Sequence, residues 1–279
     1  MARFRYVIVD VFTNVPLQGN QLAVFTDARG IPEEMLQRLA KEMNFSETTF
    51  VYPPSGDGHV LMRIFTPVAE IPFAGHPTLG TAFVLAGPLQ LLEIRIETGQ
   101  GTVPVRVERE GARIVFGRMD QPLPTIAPFE RADELQSALG VESQLPVEVY
   151  DNGLAHVYVS LGSEAEVAAL QPDQQRLAAL GAYGINCFAG DGLTWKTRMF
   201  GPGLGVPEDP ATGSAAGPLA LHLVRHGRIA LGDEIEISQG AEIGRPSTLY
   251  ARVDGTADAV ERIEVGGCAV IVARGEFSI

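Results

Sequence analysis

Two short blocks of this chain occur twice, and that repeat limits the folds open to it more than any other feature. Arg63-Ile-Phe-Thr-Pro67 returns as Arg198-Met-Phe-Gly-Pro202, and Glu70-Ile-Pro-Phe-Ala-Gly-His76 returns as Glu208-Asp-Pro-Ala-Thr-Gly-Ser214. The offsets are 135 and 138 residues, so the second copy carries three extra residues between its blocks. A weaker echo sets Gly19-Asn20 against Asn152-Gly153. A propeller or solenoid would need more copies at a shorter period. Two copies in 279 residues predict two related halves of ordinary domain size, 1–126 and 127–279, joined within the Pro-rich stretch Gln121–Pro128.

Strand and helix signals alternate around these blocks. Tyr6–Phe12, Leu22–Phe25, Thr48–Tyr52 and Val60–Phe65 are runs rich in β-branched, aromatic and other apolar residues, which predict strands. Pro32 opens a predicted helix, with Glu33 and Glu34 at its positive end and Met35, Leu36, Leu39, Ala40 and Met43 on one face. Further helices are expected near 131–139 and 172–180, with Gly140 and Gly181 placed as C-terminal caps. In both copies of the repeat a glycine leads an apolar segment, Gly75 to Leu85 and Gly213 to Leu223. Each segment predicts a buried helix whose first turn offers free N–H groups and a positive dipole end to a carboxylate or oxyanion. If both helix starts face one cleft between the halves, a substrate carboxylate has its place there. The alternative is a pair of packing helices whose glycines permit close approach.

Three ionisable residues flank this pattern. Glu47, in Asn44-Phe-Ser-Glu-Thr-Thr, sits where a helix hands over to a strand, a position where catalytic groups concentrate. It could equally be a solvated turn carboxylate. His76 opens the first glycine-led segment, and a core or capping role would also suit it. Asp209 precedes Pro210, where it could simply cap the second helix.

Composition removes several function classes. The 34 acidic against 21 basic residues give a net charge of −13, which argues against nucleic acid and leaves a small anionic substrate open. Two cysteines, Cys187 and Cys268, cannot build a disulfide framework, and a reducing cytoplasm is the simpler expectation. The N-terminal residues read as a strand rather than a signal peptide, and no apolar run approaches the ~20 residues that a membrane span needs. No Gly-Lys-Ser/Thr phosphate loop occurs, and Gly201-Pro-Gly203-Leu-Gly205 lacks the spacing of a dinucleotide loop. Ser214 stands outside any Gly-x-Ser-x-Gly elbow. His222 and His226 are four apart, but their neighbourhood lacks the Glu and third ligand of a zinc motif. No metal and no cofactor are expected.

At the residues already singled out, the chain resembles the PhzF family of phenazine-biosynthesis enzymes. The likeness runs through Val9-Asp-Val-Phe12, Pro16-Leu-Gln-Gly-Asn20, Met43-Asn-Phe-Ser-Glu-Thr-Thr-Phe-Val51, Arg63–Pro67 and Pro72–Pro77. It continues through Met119-Asp-Gln-Pro122, Asn152-Gly153 with His156-Val157, Ile185–Gly190, Glu208–Pro218, His222–Gly227 and Ile243–Ser247. The resemblance implies an α+β protein of two similar halves with the diaminopimelate-epimerase-like fold. Each half would be a curved sheet or barrel around a central apolar helix, with the active site in the cleft between them. It implies a homodimer and a cofactor-independent isomerase acting on trans-2,3-dihydro-3-hydroxyanthranilate, or else a relative with another small cyclic or amino-acid-derived substrate. Glu47 matches the family's acid–base carboxylate. His76, Asp209 and Ser214 match residues that hold the substrate and assist proton relay, and Ser46, Gly75 and Gly213 match its further contacts. A single partly desolvated carboxylate can act first as base and then as acid. Epimerases of this fold use two cysteines, at the positions matching Ala74 and Thr212, so a two-thiol racemisation is disfavoured here.

Overall fold

The computed structural model describes residues 2–256 and 259–279. The chain divides into two compact units, Met1–Asp120 with Gly266–Ile279, and Gln121–Val265. Along the first come β1 (Arg3–Val11), β2 (Asn20–Phe25), α1 (Glu33–Met43), β3 (Glu47–Tyr52), β4 (Val60–Phe65), β5 (Glu70–Ile71), α2 (Gly75–Leu89), β6 (Glu93–Thr98), β7 (Gly101–Glu110) and β8 (Arg113–Gln121). The second contains β9 (Thr125–Pro128), α3 (Ala132–Leu139), β10 (Glu148–Asp151), β11 (Ala155–Ser160), α4 (Glu164–Ala169), α5 (Gln174–Ala178), β12 (Gly184–Asp191) and β13 (Thr194–Gly201). It continues with β14 (Val206–Asp209), α6 (Gly213–Arg225), β15 (Glu234–Gln239), β16 (Ser247–Gly255) and β17 (Val260–Gly267). The last strand, β18 (Ala269–Ser278), pairs antiparallel with β1 in the first unit.

The repeat is visible in how the strands pair. In the first unit the order β18-β1-β2-β3-β4-β6-β7 is antiparallel, antiparallel, parallel, antiparallel, parallel, antiparallel. In the second unit β9-β10-β11-β12-β13-β15-β16 follows the same sequence of senses. β5 and β14 are the matching short antiparallel partners of β4 and β13. Each sheet is open, since its two end strands, β18 and β8 or β9 and β17, do not pair with each other among the described residues.

This pairing moves both predicted boundaries. The stretch expected as a linker, Gln121–Pro128, contains the strand β9, and the second unit begins at Gln121 rather than at 127. Residues 266–279 pack with the first unit, supplying as β18 the strand that β9 supplies to the second. A contiguous cut cannot capture this, because alternation identifies a strand but not its partner. Predicted helices lie close to their observed limits at Glu33–Met43 and Ala132–Leu139, with Gly140 capping the latter at φ 72. The helix expected over 172–180 is shorter, Gln174–Ala178, and is capped by the Asp173 carboxylate. A further helix, Glu164–Ala169, starts at the Ser163 side chain and had no expectation attached to it.

The two glycine-led segments form α2 and α6, both buried over most of their length. A helix that is apolar on every side has no solvent face and must be covered all round. In the first unit α2 is met by β1, β2, β3, β6, β7 and β18. Close packing requires glycine at one point: a Cβ on Gly80 would come within 2.6 Å of Val11 Cγ2 and 2.7 Å of Leu22 Cδ2. The packing alternative raised by the sequence therefore holds for this mid-helix glycine.

The repeated Arg and Glu now have a structural reason. Arg63 Nε and Nη2 donate to Glu70 at 2.7 Å, and Arg198 Nε and Nη2 donate to Glu208 at 2.8 Å. Each guanidinium also lies over the phenylalanine two residues on, at 5.2 Å from the Phe65 centroid and 4.9 Å from that of Phe200. A two-point Arg–carboxylate fork fixes direction as well as distance. It thus holds the short strand that leads into the buried helix in each unit. Replacing Gly80 by Ala is expected to destabilise the fold by about 1–3 kcal/mol through overpacking, read as a lower urea midpoint at unchanged m-value.

Candidate active site

In the first unit, Glu47 begins β3 immediately after the turn containing Ser46, and His76 is the second residue of α2. His76 Nε2 stands 3.2 Å from Glu47 Oε2, with only 4% and 14% of the two side chains exposed. The solvated-turn reading of Glu47 is thereby excluded. The other ring nitrogen, Nδ1, lies 3.3 Å from the side-chain nitrogen of Asn20. The Asn20 side chain thus holds the ring beside the carboxylate. Burial lowers the His76 value to about 3, against a weaker opposing effect of a hydrogen bond with the Gln21 backbone, so the imidazole is neutral.

Asn20 is delivered by a strained turn. Phe12 and Leu17 have φ of 64° and 68°, in the left-handed region that disfavours such side chains. The Asp10 carboxylate accepts the Leu17 N–H at 2.7 Å and ties the turn back to β1. Gly19, at φ 68, has no room for a Cβ, which would fall 2.3 Å from the Val11 carbonyl oxygen. Strain of this kind persists where surrounding structure fixes it, and here it sets the residue that orients His76.

In the second unit, Asp209 ends β14, while Gly213 and Ser214 are the first two residues of α6. Asp209 does not cap the helix: Thr212 is the N-cap residue, and its hydroxyl donates to Asp209 Oδ2 at 2.7 Å. Gln239 locks the pair, with Nε2 donating to the Asp209 carbonyl and the Thr212 hydroxyl, and Oε1 accepting the Thr212 N–H. Pro218 lacks the N–H that would bond the Ser214 carbonyl, and its ring crowds the preceding turn. The side chain of Asn152 donates to that carbonyl instead, at 2.9 Å. Gln121 donates to the Gly213 carbonyl and the Tyr158 hydroxyl to the Ala215 carbonyl, both at 2.7 Å. Three side chains thus pin the first turn of α6.

His156 Nε2 lies 3.0 Å from Ser214 Oγ, and the Asn186 amide faces its Nδ1 at 3.4 Å. Burial holds His156 at about 3, hence neutral. With the proton on Nε2, the ring donates to Ser214 Oγ and leaves the serine's own proton for a ligand. The strand register also explains why the units are not interchangeable. Leu22 pairs with Glu47 and Thr48 with Phe65, while His156 pairs with Gly184 and Ile185 with Phe200. Gly184 therefore occupies the register position of Glu47, and a Cβ there would come within 2.5 Å of His156 Nδ1. The second unit has a histidine ring where the first has a carboxylate.

The residues picked from sequence thus form two local groups, Ser46, Glu47, Gly75 and His76 in one unit, Asp209, Gly213 and Ser214 in the other. Asn20, Asn152, His156, Thr212, Tyr158, Asn186, Gln121 and Gln239 were not among them. The Gly19-Asn20 and Asn152-Gly153 echo was the available signal, since each asparagine serves the second residue of its unit's buried helix. Ala74 and Thr212 are the N-cap residues of α2 and α6. Cys187 is fully buried in an apolar core, which pushes its thiol up to about 12. Among the described residues no helix is long and apolar enough to cross a membrane.

A family model named PhzC-PhzF and described as phenazine biosynthesis-like protein matches residues 9–275. A trans-2,3-dihydro-3-hydroxyanthranilate isomerase of Pseudomonas chlororaphis is 51% identical over 97% of this chain and 98% of its own. A Bacillus anthracis phenazine biosynthesis protein of the PhzF family, 26% identical, superposes with a TM-score of 0.87 over 100% of both chains. A hydroxyproline epimerase from Agrobacterium vitis, 11% identical, has a TM-score of 0.66 over 98% of this chain and 92% of its own, and shares the fold alone. The fold is α+β with two similar halves of the diaminopimelate-epimerase-like kind, each an open sheet rather than a closed barrel.

His76 and His156 both sit below the ordinary histidine value of 6.5 in the folded chain. The unfolded chain therefore binds more protons as pH falls below 6.5, so stability declines on acidification towards pH 3 and levels off above pH 7. Each ring contributes up to about 1.4 kcal/mol per pH unit in that window. Urea midpoints measured from pH 7.5 to 5 should fall. Histidine 15N shifts recorded over the same range should show these two rings failing to titrate.

Proposed function

This chain belongs to the PhzC-PhzF family of phenazine biosynthesis-like proteins, and from that premise we propose that it isomerises trans-2,3-dihydro-3-hydroxyanthranilate by a carboxylate-mediated proton shift. The observation that carries the reading is the enclosed pair of Glu47 and neutral His76. Moving a C=C bond within one molecule requires a proton to leave one carbon and return to another, with no net redox change. One carboxylate does both if it is oriented and shielded from bulk water. Glu47 takes the ring proton and, as the acid so formed, returns it at the far end of the conjugated system. The enol that results tautomerises to an aminoketone. His76, neutral and beside the carboxylate, borders it without adding a competing charge.

The remaining roles follow from chemistry of the same kind. Ser214, with its hydroxyl proton released by His156, donates to an oxygen of the substrate, and the free N–H groups at Gly213 and Gly75 suit an anionic group. Asp209, held by Thr212 and Gln239, binds the substrate's polar substituents, and Ser46 adds a contact beside Glu47. Metal and cofactor are not needed for this sequence of steps. We assign the protein to the cytoplasm as a homodimer, which light scattering of the purified chain would test.

Incubation with trans-2,3-dihydro-3-hydroxyanthranilate should change its ultraviolet spectrum as the conjugated system rearranges. An unchanged spectrum with intact substrate would remove the reading. Glu47→Gln should lower kcat by about 10²–10⁴-fold with little change in substrate binding. Retained turnover in that variant would reassign the acid–base group.

A further inference from the structure

The histidines set four apart at the end of the second buried helix have a third donor that their spacing does not reveal. His222 lies in the last turn of α6, His226 ends that helix, and Glu148 begins β10, far away in sequence. Glu148 Oε2 is 3.2 Å from His222 Nδ1 and 3.0 Å from His226 Nε2, and the three donor atoms lie within 4.8 Å of one another. The fold thus places beside this pair a carboxylate that the spacing of the histidines does not reveal.

The spacing is informative in itself. A tetrahedral Zn²⁺ with bonds of about 2.0–2.1 Å to nitrogen and oxygen keeps its donors roughly 3.3 Å apart. Both histidine–carboxylate distances are close to that edge, and the Tyr150 hydroxyl, 2.9 Å from Glu148 Oε2 and 3.1 Å from His222 Nδ1, has to turn aside for an ion to enter. Two imidazoles and one carboxylate form a borderline donor set that suits zinc and its first-row neighbours rather than calcium or magnesium. The carboxylate is oriented by groups around it: the Tyr150 hydroxyl donates to Oε2 at 2.9 Å, and Arg225 Nη2 donates to Oε1 at 3.2 Å. Such outer contacts accompany the ligands of metal sites. The His222 ring is stacked on Tyr158 and wholly buried, which fixes its plane, while the His226 side chain keeps 18% exposure and gives an ion a way in.

We propose that Glu148, His222 and His226 bind one divalent transition-metal ion of the zinc type, which would clamp β10 to the C-terminal end of α6. The site lies at the opposite end of that helix from Ser214 and is independent of the isomerase chemistry. Its function is to fix the helix, not to take part in the reaction.

The full-length protein, stripped with a chelator and dialysed, is titrated with CoCl₂ and then ZnCl₂ at pH 7.5. One cobalt ion per chain should bind with a visible ligand-field band that zinc abolishes. Zinc at a hundredfold excess over its dissociation constant should raise Tm by roughly 5 °C. His226→Gln, at a partly exposed position, should weaken binding at least tenfold while leaving the far-ultraviolet circular dichroism intact. Glu148→Gln should do the same. A wild-type protein that gives no saturable cobalt band, or a band that persists unchanged in His226→Gln, overturns the site and leaves the cluster a hydrogen-bonded network only.

Discussion

A helix with no polar side has to be enclosed, and in this protein that requirement recurs once in each unit. α2 and α6 run through the interior of their units with nearly every residue buried. A sheet must wrap each one, and the strand entering each helix has to stop at its first turn. The first-turn N–H groups are consequently the polar atoms that the helix cannot satisfy internally. The candidate site residues gather at that end, where the backbone offers charge complementarity. The Arg63–Glu70 and Arg198–Glu208 forks secure the strands on which this arrangement hangs.

The two units keep the same scaffold and divide the chemistry unequally. At matched register positions one has Glu47 and the other Gly184, whose missing side chain leaves room for His156. At matched helix positions one has His76 and the other Ser214. In the first unit the histidine stands on the helix and the carboxylate on the strand. In the second the histidine stands on the strand and its partner is a hydroxyl. Both helix starts carry N-cap residues that do not ionise near neutral pH, Ala74 and Thr212.

Much of this was legible in the linear chain, for definable reasons. The repeat could be read because Arg, Phe and Glu act within ten residues of one another on a hairpin, so their pattern survives in sequence. Gly75 and Gly213 could be read because an all-apolar segment behind a glycine is distinctive. The supporting residues could not. Gln239 acts on Asp209 and Thr212 from about thirty residues away, and Gln121 acts on Gly213 from more than ninety. No local spacing encodes such pairs. Gly184 has no motif at all, and its meaning appears only when strand register is known.

The sequence by itself determined that the chain has two related halves, each with a buried helix led by glycine, and that His76, Asp209 and Ser214 stand at those helix starts. Period, apolarity and turn chemistry are local properties, and each leaves a local trace. The tertiary structure alone decided that the C-terminal strand completes the first unit, that Glu47 is paired with His76 rather than solvated, and that Glu148 meets His222 and His226. Those outcomes depend on which strands pair and in what register. Pairing is set by the burial of whole faces, a cooperative quantity that no single stretch of sequence carries.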